Sequence, residues 1–409
     1  MAEPLFNLHS AWLRNRITEL GLKQWWLAEQ LLVDRKTVLR WVNGQVRTIQ
    51  RDNAVALAAI LGCRLDELEL PRAGSDLATP HDQHEAGRLL ATSQLLERLG
   101  PIGEWDVAES LIRAVAVPGL PVHVLGELHN RLCVACWRQG KMAQAQAAND
   151  AAMELAERCG DRALRAGALA SRANLMHWRG DCGAALSTYR QALELSAYLE
   201  PAAAAGLRNN LGASLYECGE HEAGRTELEA ALAELLWVGS GMQLSVAHTH
   251  LAIVALRLQQ PEVAEPHAQS AERHAEAAGY RRGLAMARLL HAEVASCRGR
   301  HPAALQALTE GLERFAALGI DEGLNHEFAA RLQRRAGALD AALQAIQRGL
   351  AVSAGFPLQR AELMLEQAWL CRTQGDEAGA QHAAQAAQSG FTACGAPARA
   401  AQAAAAFSR

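Results

Sequence analysis

The chain has 409 residues and a formal net charge of −4, a length that predicts two or more domains and leaves any basic surface local. Half of its residues are hydrophobic but only 5% are aromatic, and alanine is abundant, which favours helices packed through small side chains. No run of about 18 apolar residues is uninterrupted, which excludes a membrane-spanning helix. The start, MAEPLFNLHSAW, lacks the order of a signal peptide. Nine cysteines, an odd number in no framework, fit a reducing cytoplasm.

The first informative stretch is Gly21 to Gly44. A short helix from Gln24 to Leu31 puts Leu27, Ala28 and Leu31 on one face. A second opens at Asp34, whose carboxylate can accept the free amide protons of the first turn. Val38 and Trp41 fall at helical spacing for burial. Arg35, Lys36, Thr37 and Arg40 are left on the other side, and Gly44 after Asn43 can take the left-handed cap. A helix that reads base edges from its N-terminal residues needs this arrangement. From Arg14 to Arg51 there are eight basic residues, Arg47 among them, against three acidic ones, a local footprint suited to phosphate.

These residues resemble the lambda-repressor/Cro-like (XRE) helix-turn-helix family over roughly Leu13 to Leu70. The resemblance rests on Gln24, Leu27-Ala28, Val33, the RKTVLRW run, Asn43-Gly44 and the trailing AAILGCRLDEL. It implies a five-helix head binding double-stranded DNA. Gln24 and Asn43 would touch phosphates, Arg35, Lys36 and Arg40 would read bases or nearby phosphates, and Thr37 and Arg47 complete the candidate set. Leu32 stands where the family usually has glycine, so the turn is made differently or carries strain. Trp25 and Trp26 stand where it has polar residues. At least one is expected to pack on the linker, a partner head or the rest of the chain, the alternative being that one completes the head's own core.

A polar, turn-rich segment follows, so the head is assigned to residues 1–72, a linker to 73–85 and a second domain to 86–409. The second domain is periodic. Aligned turns fall at Gly103, Gly140, Gly180, Gly219, Gln259, Gly299, Gly337 and Gly375. Small residues follow at Ala108, Ala145, Ala185, Gly224, Ala264, Ala304, Ala342 and Ala380, as close crossing of two antiparallel helices requires. The pattern resembles the tetratricopeptide repeat, with a longer period and so longer helices. The fold class expected is all-α: the head plus a right-handed α-solenoid of about eight helix pairs. No strand alternation is evident.

The first helix of each pair should line the concave face. By register this face carries Asn130, Arg131, Asn174, His177, Asn209, Asn210, Thr249, His250, Arg257, Glu293, Arg331 and Arg334. Asparagine amides can pair with the backbone of an extended peptide, and arginines can grip a carboxylate; the alternative is an ordinary solvated groove. Cys133 and Cys136 form a CxxC on a helical pattern without a second ligand pair, read as buried small side chains. With no HExxH, no phosphate loop and no GxSxG, no catalytic residue, metal or cofactor is expected.

The joint architecture is similar to the RRNPP group of peptide-sensing bacterial regulators, which implies a DNA-binding regulator with a short peptide or protein effector. The rival reading is an interaction scaffold using the head as a dock or DNA tether. A homodimer is expected, with the alanine-rich QAAAAF end, which lacks a polar capping helix, as its main contact.

Overall fold

The computed structural model describes residues 5–46, 48–69, 80–92 and 98–407. It divides into two compact units, 1–83 and 84–409.

The head has the five expected helices: α1 (Ser10–Glu19), α2 (Gln24–Gln30), α3 (Arg35–Val42), α4 (Arg51–Leu61) and α5 (Leu65–Leu68). Leu13, Leu27, Val38, Ala54, Leu57 and Leu68 form a core with no solvent exposure. The expectation of no strands fails at one place. β1 (Leu5–Asn7) pairs antiparallel with β2 (Thr48–Gln50), and Phe6 opposite Ile49 is buried with it. Three-residue strands are too short to show an alternation in sequence, so this pairing was not legible. Leu32 does adopt the left-handed conformation, at φ 55°. It thereby makes the turn that glycine usually makes, at a steric cost of about 1–2 kcal/mol.

Helix α6 (Pro80–Thr92) begins inside the expected linker and runs into the second unit, with proline in its first turn, where the missing N–H costs nothing. Residues 73–79 of that linker lie outside the described residues. After α7 (Trp105–Val115), antiparallel pairs follow: α8 (Val122–Arg138) with α9 (Met142–Cys159), α10 (Arg162–Trp178) with α11 (Cys182–Glu194), and α12 (Pro201–Glu217) with α13 (His221–Val238). Next come α14 (Gly241–Arg257) with α15 (Pro261–Ala277), α16 (Arg281–Cys297) with α17 (His301–Ala317), α18 (Gly323–Arg335) with α19 (Leu339–Val352), and α20 (Pro357–Thr373) with α21 (Glu377–Ala393). The terminal helix is α22 (Pro397–Phe407). Among the described residues the fold is all-α apart from these two short strands.

Every aligned turn position has positive φ, and Gln259, the one that is not glycine, takes the same conformation at 59°. The small residues that follow are all buried. Gly224 is required: a Cβ there would stand 2.7 Å from the Gly212 carbonyl oxygen and 2.8 Å from the Tyr216 nitrogen. Helices α12 and α13 cross backbone to backbone.

The alanine-rich end is not left open for a partner. Along α22, Ala400, Ala403 and Phe407 are buried in one core with Leu186, Tyr189 and Leu215 from repeats far earlier in the chain. The Arg399 amide donates to the Cys218 carbonyl (3.2 Å) and the Cys182 amide to the Cys394 carbonyl (2.9 Å). Gln402 Nε2 donates to the Gly219 carbonyl across 183 residues (2.9 Å), roughly five repeats further along. The absence of a polar face on α22, expected to mark a dimer contact, instead reflects this internal seam.

Candidate nucleic-acid interface and effector face

Helix α3 is held firmly so that its outer face is presented. Asp34 Oδ1 accepts the Lys36 amide at 2.7 Å, capping the first turn as expected. Val38, Trp41 and Val42 are buried beneath. At the other end Arg14 donates from Nε (3.1 Å) and Nη2 (2.8 Å) to the Val42 carbonyl, which satisfies an orphan acceptor and offsets the negative end of the helix dipole. Gly44 takes φ 71°. Arg14 and Arg16 therefore leave the basic footprint, Arg16 being turned to Glu19 (3.2 Å) and the Leu61 carbonyl.

Arg35, Lys36, Arg40 and Asn43 are exposed, while Gln24 and Thr37 are half-buried. Arg47 lies outside the described residues. Arg35 meets Glu29 at 3.7 Å with both groups solvated, a pair too weak to hold it from a phosphate. Leu39, 45% exposed, shares this outer face with Arg35, Lys36 and Arg40. Leu39 is absent from the candidate set, yet an exposed aliphatic among these polar groups is suited to a thymine methyl. Of the two tryptophans, Trp26 packs on the head's own core and Trp25 is exposed, which is the alternative stated for them.

On the array, the inner-face amides stitch neighbouring repeats together. Ser171 Oγ donates to Asn130 Oδ1 across two repeats (2.8 Å), while within one pair Tyr189 donates its hydroxyl proton to Asn174 Oδ1 (2.5 Å). His250 Nδ1 meets Asn209 Oδ1 at 3.2 Å. His177 bonds through Nε2 to Glu217 and through Nδ1 to Ser214 Oγ (3.0 Å). Asn209 is buried, while Asn130, Arg131, Asn174, His177, Asn210 and His250 are half-buried. Burial pushes the His250 pKa down to about 4, so the ring is neutral and accepts or donates a single proton. Cys133 and Cys136 are both buried, and burial pushes the Cys133 thiol up to about 12.

Further along, the inner face becomes a charged cluster. Arg331 touches Glu293 (3.1 Å), Glu327 (2.9 Å) and Glu366 (3.7 Å). Arg334 reaches Glu366 at 3.2 Å. Arg257 reaches Glu327 (2.8 Å) and Glu362 (3.4 Å), and Arg399 grips Glu362 with two bonds of 2.7 Å. Burial pushes the Glu362 carboxyl up, but Arg257 and Arg399 outweigh it and hold the group at about 2. The guanidiniums named as candidate grips thus hold the chain's own carboxylates. Register had placed Glu293 on this face. Glu327, Glu362, Glu366 and Arg399 were missed, although acidic residues recurring in successive first helices were the available signal.

Residues 13–68 match a family model described as helix-turn-helix. A search of curated proteins finds no relative. Among solved structures, the chain is similar to a Rap protein complexed with competence and sporulation factor, at 15% identity and TM-score 0.56, over 79% of this chain and 96% of that one. It also overlaps the apo form of RapI (13%, TM-score 0.49, 65% and 97% of the two chains) and, more loosely, Bacillus thuringiensis PlcR in complex with the peptide PapR7 and DNA (14%, TM-score 0.38, 65% and 93%). The first of these likenesses is one of fold. The chain therefore carries a helix-turn-helix domain ahead of an array with a tetratricopeptide-like fold.

Proposed function

We propose that the protein is a sequence-specific, double-stranded-DNA-binding transcriptional regulator whose array responds to an effector. The observation that carries this is α3: a capped helix, pinned by Val38 and Trp41, that turns Arg35, Lys36, Leu39 and Arg40 outward on a helix-turn-helix head. Two heads on a symmetric site multiply the discrimination that one small head can reach, so the regulator acts as a homodimer. The effector is an extended peptide with a carboxylate. The ion pairs among Arg257, Arg331, Arg334, Glu327 and Glu366 make the inner face a competition, in which an incoming carboxylate takes a guanidinium from a resident glutamate and so changes the spacing of successive first helices. A ligand that favours one such spacing shifts the array between states. The candidate contacts remain Asn130, Arg131, Asn174, His177, Asn209, Asn210, His250, Arg257, Arg331 and Arg334.

The test starts from genomic fragments recovered with the purified full-length chain, followed by fluorescence anisotropy on the enriched site. Arg35→Ala or Lys36→Ala should each weaken binding by about 1–3 kcal/mol per lost base contact, and affinity should fall steeply with salt. Normal operator binding by both variants would remove α3 from the reading role. Failure to enrich any duplex would favour the scaffold.

A further inference from the structure

Two side chains flanking one turn, His177 and Cys182, meet Cys218 of the next repeat under the seam where the chain's end packs back on its middle. The ligand atoms of His177, Cys182 and Cys218 all lie within 4.8 Å of one another. Cys182 and Cys218 are buried, and His177 is 13% exposed at its side chain. Each comes from a turn between the helices of a pair or from the helix end leading into it. His177 is at the end of α10, Cys182 starts α11 and Cys218 caps α12.

We propose that His177, Cys182 and Cys218 form a binding site for a zinc ion. Tetrahedral zinc bonds thiolate sulfur at about 2.3 Å and imidazole nitrogen at about 2.0 Å, which places ligand atoms roughly 3.5–3.8 Å apart. The ligand atoms here, within 4.8 Å of one another, have about 1 Å to close to reach that spacing. On binding, two S–Zn bonds form, the two thiol protons pass to solvent, and the imidazole gives a lone pair. The fourth position is left for water or another donor.

The surroundings of His177 point to a ligand rather than to a merely buried ring. A histidine that binds a metal through one nitrogen usually donates its other N–H to a carboxylate, which fixes the tautomer and aims the lone pair. Here Glu217 holds Nε2, so Nδ1 carries the lone pair. The present partner of Nδ1 is the hydroxyl of Ser214. Ser214 stands one helical turn before Cys218, on the same side, so the Nδ1 edge of the ring faces the thiols. Two cysteines packed only as small hydrophobes would not require an imidazole oriented by a carboxylate beside them.

The position gives the site a consequence. The amide of Cys182 and the carbonyl of Cys218 are the groups that bond Cys394 and Arg399 of the terminal segment. Zinc at these side chains ties the turns of two successive repeats to one spacing, the one that receives α22, and so stabilises the closed array. This holds whether or not the head reads DNA.

The experiment uses the full-length chain, reduced and stripped with a chelator, and titrated with cobalt(II) as a visible stand-in for zinc. The expected result is one tetrahedral equivalent per chain, seen as thiolate-to-metal charge transfer and d–d bands that zinc bleaches. Cys182→Ser and Cys218→Ser should each lose that equivalent. Cys133→Ser with Cys136→Ser should retain it, which separates this site from the CxxC. Glu217→Gln should keep the spectrum but bind 10- to 100-fold more weakly, as loss of an orienting partner does. X-ray absorption on the zinc-loaded wild-type chain reads the donor set without any variant, and two sulfurs with one or more light donors are expected. No tetrahedral cobalt signal from the wild-type chain, a signal unchanged in both serine variants, or a shell without sulfur overturns the proposal. So does a Cys182–Cys218 disulfide that persists in reductant and takes up no metal.

Discussion

Arg399 offers the sharpest test of how the array is held closed. Its guanidinium donates two bonds of 2.7 Å to Glu362, and both side chains are about one-tenth exposed. Arg399→Met keeps an apolar stem but removes the guanidinium, which lies over the Phe391 ring, and leaves the carboxylate paired with Arg257, at 3.4 Å. Stranding one member of a buried pair costs about 3–5 kcal/mol, and the remaining Arg257 puts this case near about 3 kcal/mol. Its effect on the urea transition of the array should be roughly a 1 M fall in midpoint, for a slope of about 3 kcal/mol/M. Glu362→Gln added to Arg399→Met removes the stranded charge, so the double variant should regain at least half of the loss. Hydrogen exchange should place the damage at the seam, with faster exchange at the amides of Cys182 and Arg399, which donate across it. A single variant within about 0.5 kcal/mol of wild type, or a double variant no better than the single, would refute the account of a charge-locked closure.

Three further changes separate local causes. Leu32→Gly should raise the melting temperature of the head, with a net gain of up to about 1 kcal/mol, since the left-handed strain goes and a side chain 94% exposed has little packing to lose, while the freer unfolded chain takes some of this back; a lower melting temperature would contradict the strain. Gly224→Ala should destabilise the array by about 1–3 kcal/mol through overpacking against Gly212 and Tyr216, measured by urea unfolding, and wild-type stability would mean that the helices separate freely. The third is pH. Burial, with His267, His274 and Arg273 around it, pushes the His248 pKa down to about 4; His267, which Glu229 faces, and His274 are also lowered by burial. The unfolded chain takes up a proton near 6.5 that the folded chain refuses until about 4. This stability is thus complete above pH 6.5, falls as pH drops through the window, and levels below 4. Partial exposure holds the His248 share to roughly 1–2 kcal/mol. His248→Gln should flatten the slope between pH 6.5 and 4.5, and an unchanged slope would assign it to other groups.

The parts of the fold that were legible in sequence are those dictated by short-range geometry. A left-handed turn needs glycine, or a residue forced into its place, so eight turns could be aligned, and Gln259 was placed correctly although it is not glycine. Close helix crossing needs small residues, so the alanines after each turn were readable as buried. Capping chemistry fixed the start of α3 at Asp34. What was not legible depends on how the solenoid coils. The pairing of α22 with turns nearly half the chain away is set by superhelical pitch, which sums small rotations between repeats, and no local pattern carries that sum. The alanine-rich end therefore read as an open face when it was one side of an internal seam. Cys182 and Cys218 read only as members of an odd set of nine cysteines, and His177 only as a groove residue, because no local spacing joins the turns of two adjacent repeats.

The inner face shows why a recurring residue type is weak ground for a ligand contact in a repeat array. Asn130 and Asn209 stand at equivalent places, ten residues before Gly140 and Gly219, and both they and His177 pair with the next repeat's first helix. A solenoid has to satisfy polar groups on that face whether or not anything binds there, because successive first helices touch along it and buried polar atoms need partners. Recurrence in sequence is then explained by stitching alone. What stitching does not require is charge. Repeats can be joined by neutral groups, as Asn130 with Ser171 shows, yet the C-terminal half gathers Arg257, Arg331, Arg334 and Arg399 against Glu293, Glu327, Glu362 and Glu366 with little solvent. Hydrophobic replacements of such pairs are often as stable or more so, so stability does not account for them. Arg257 and Arg331 are each shared among carboxylates, and a partner that brings one more carboxylate changes which pairs form at small net cost. The charged half is accordingly where an acidic effector gains most leverage on the seam. Arg331→Met, which removes the most shared of these cations, should weaken an effector's hold more than Asn130→Ala does.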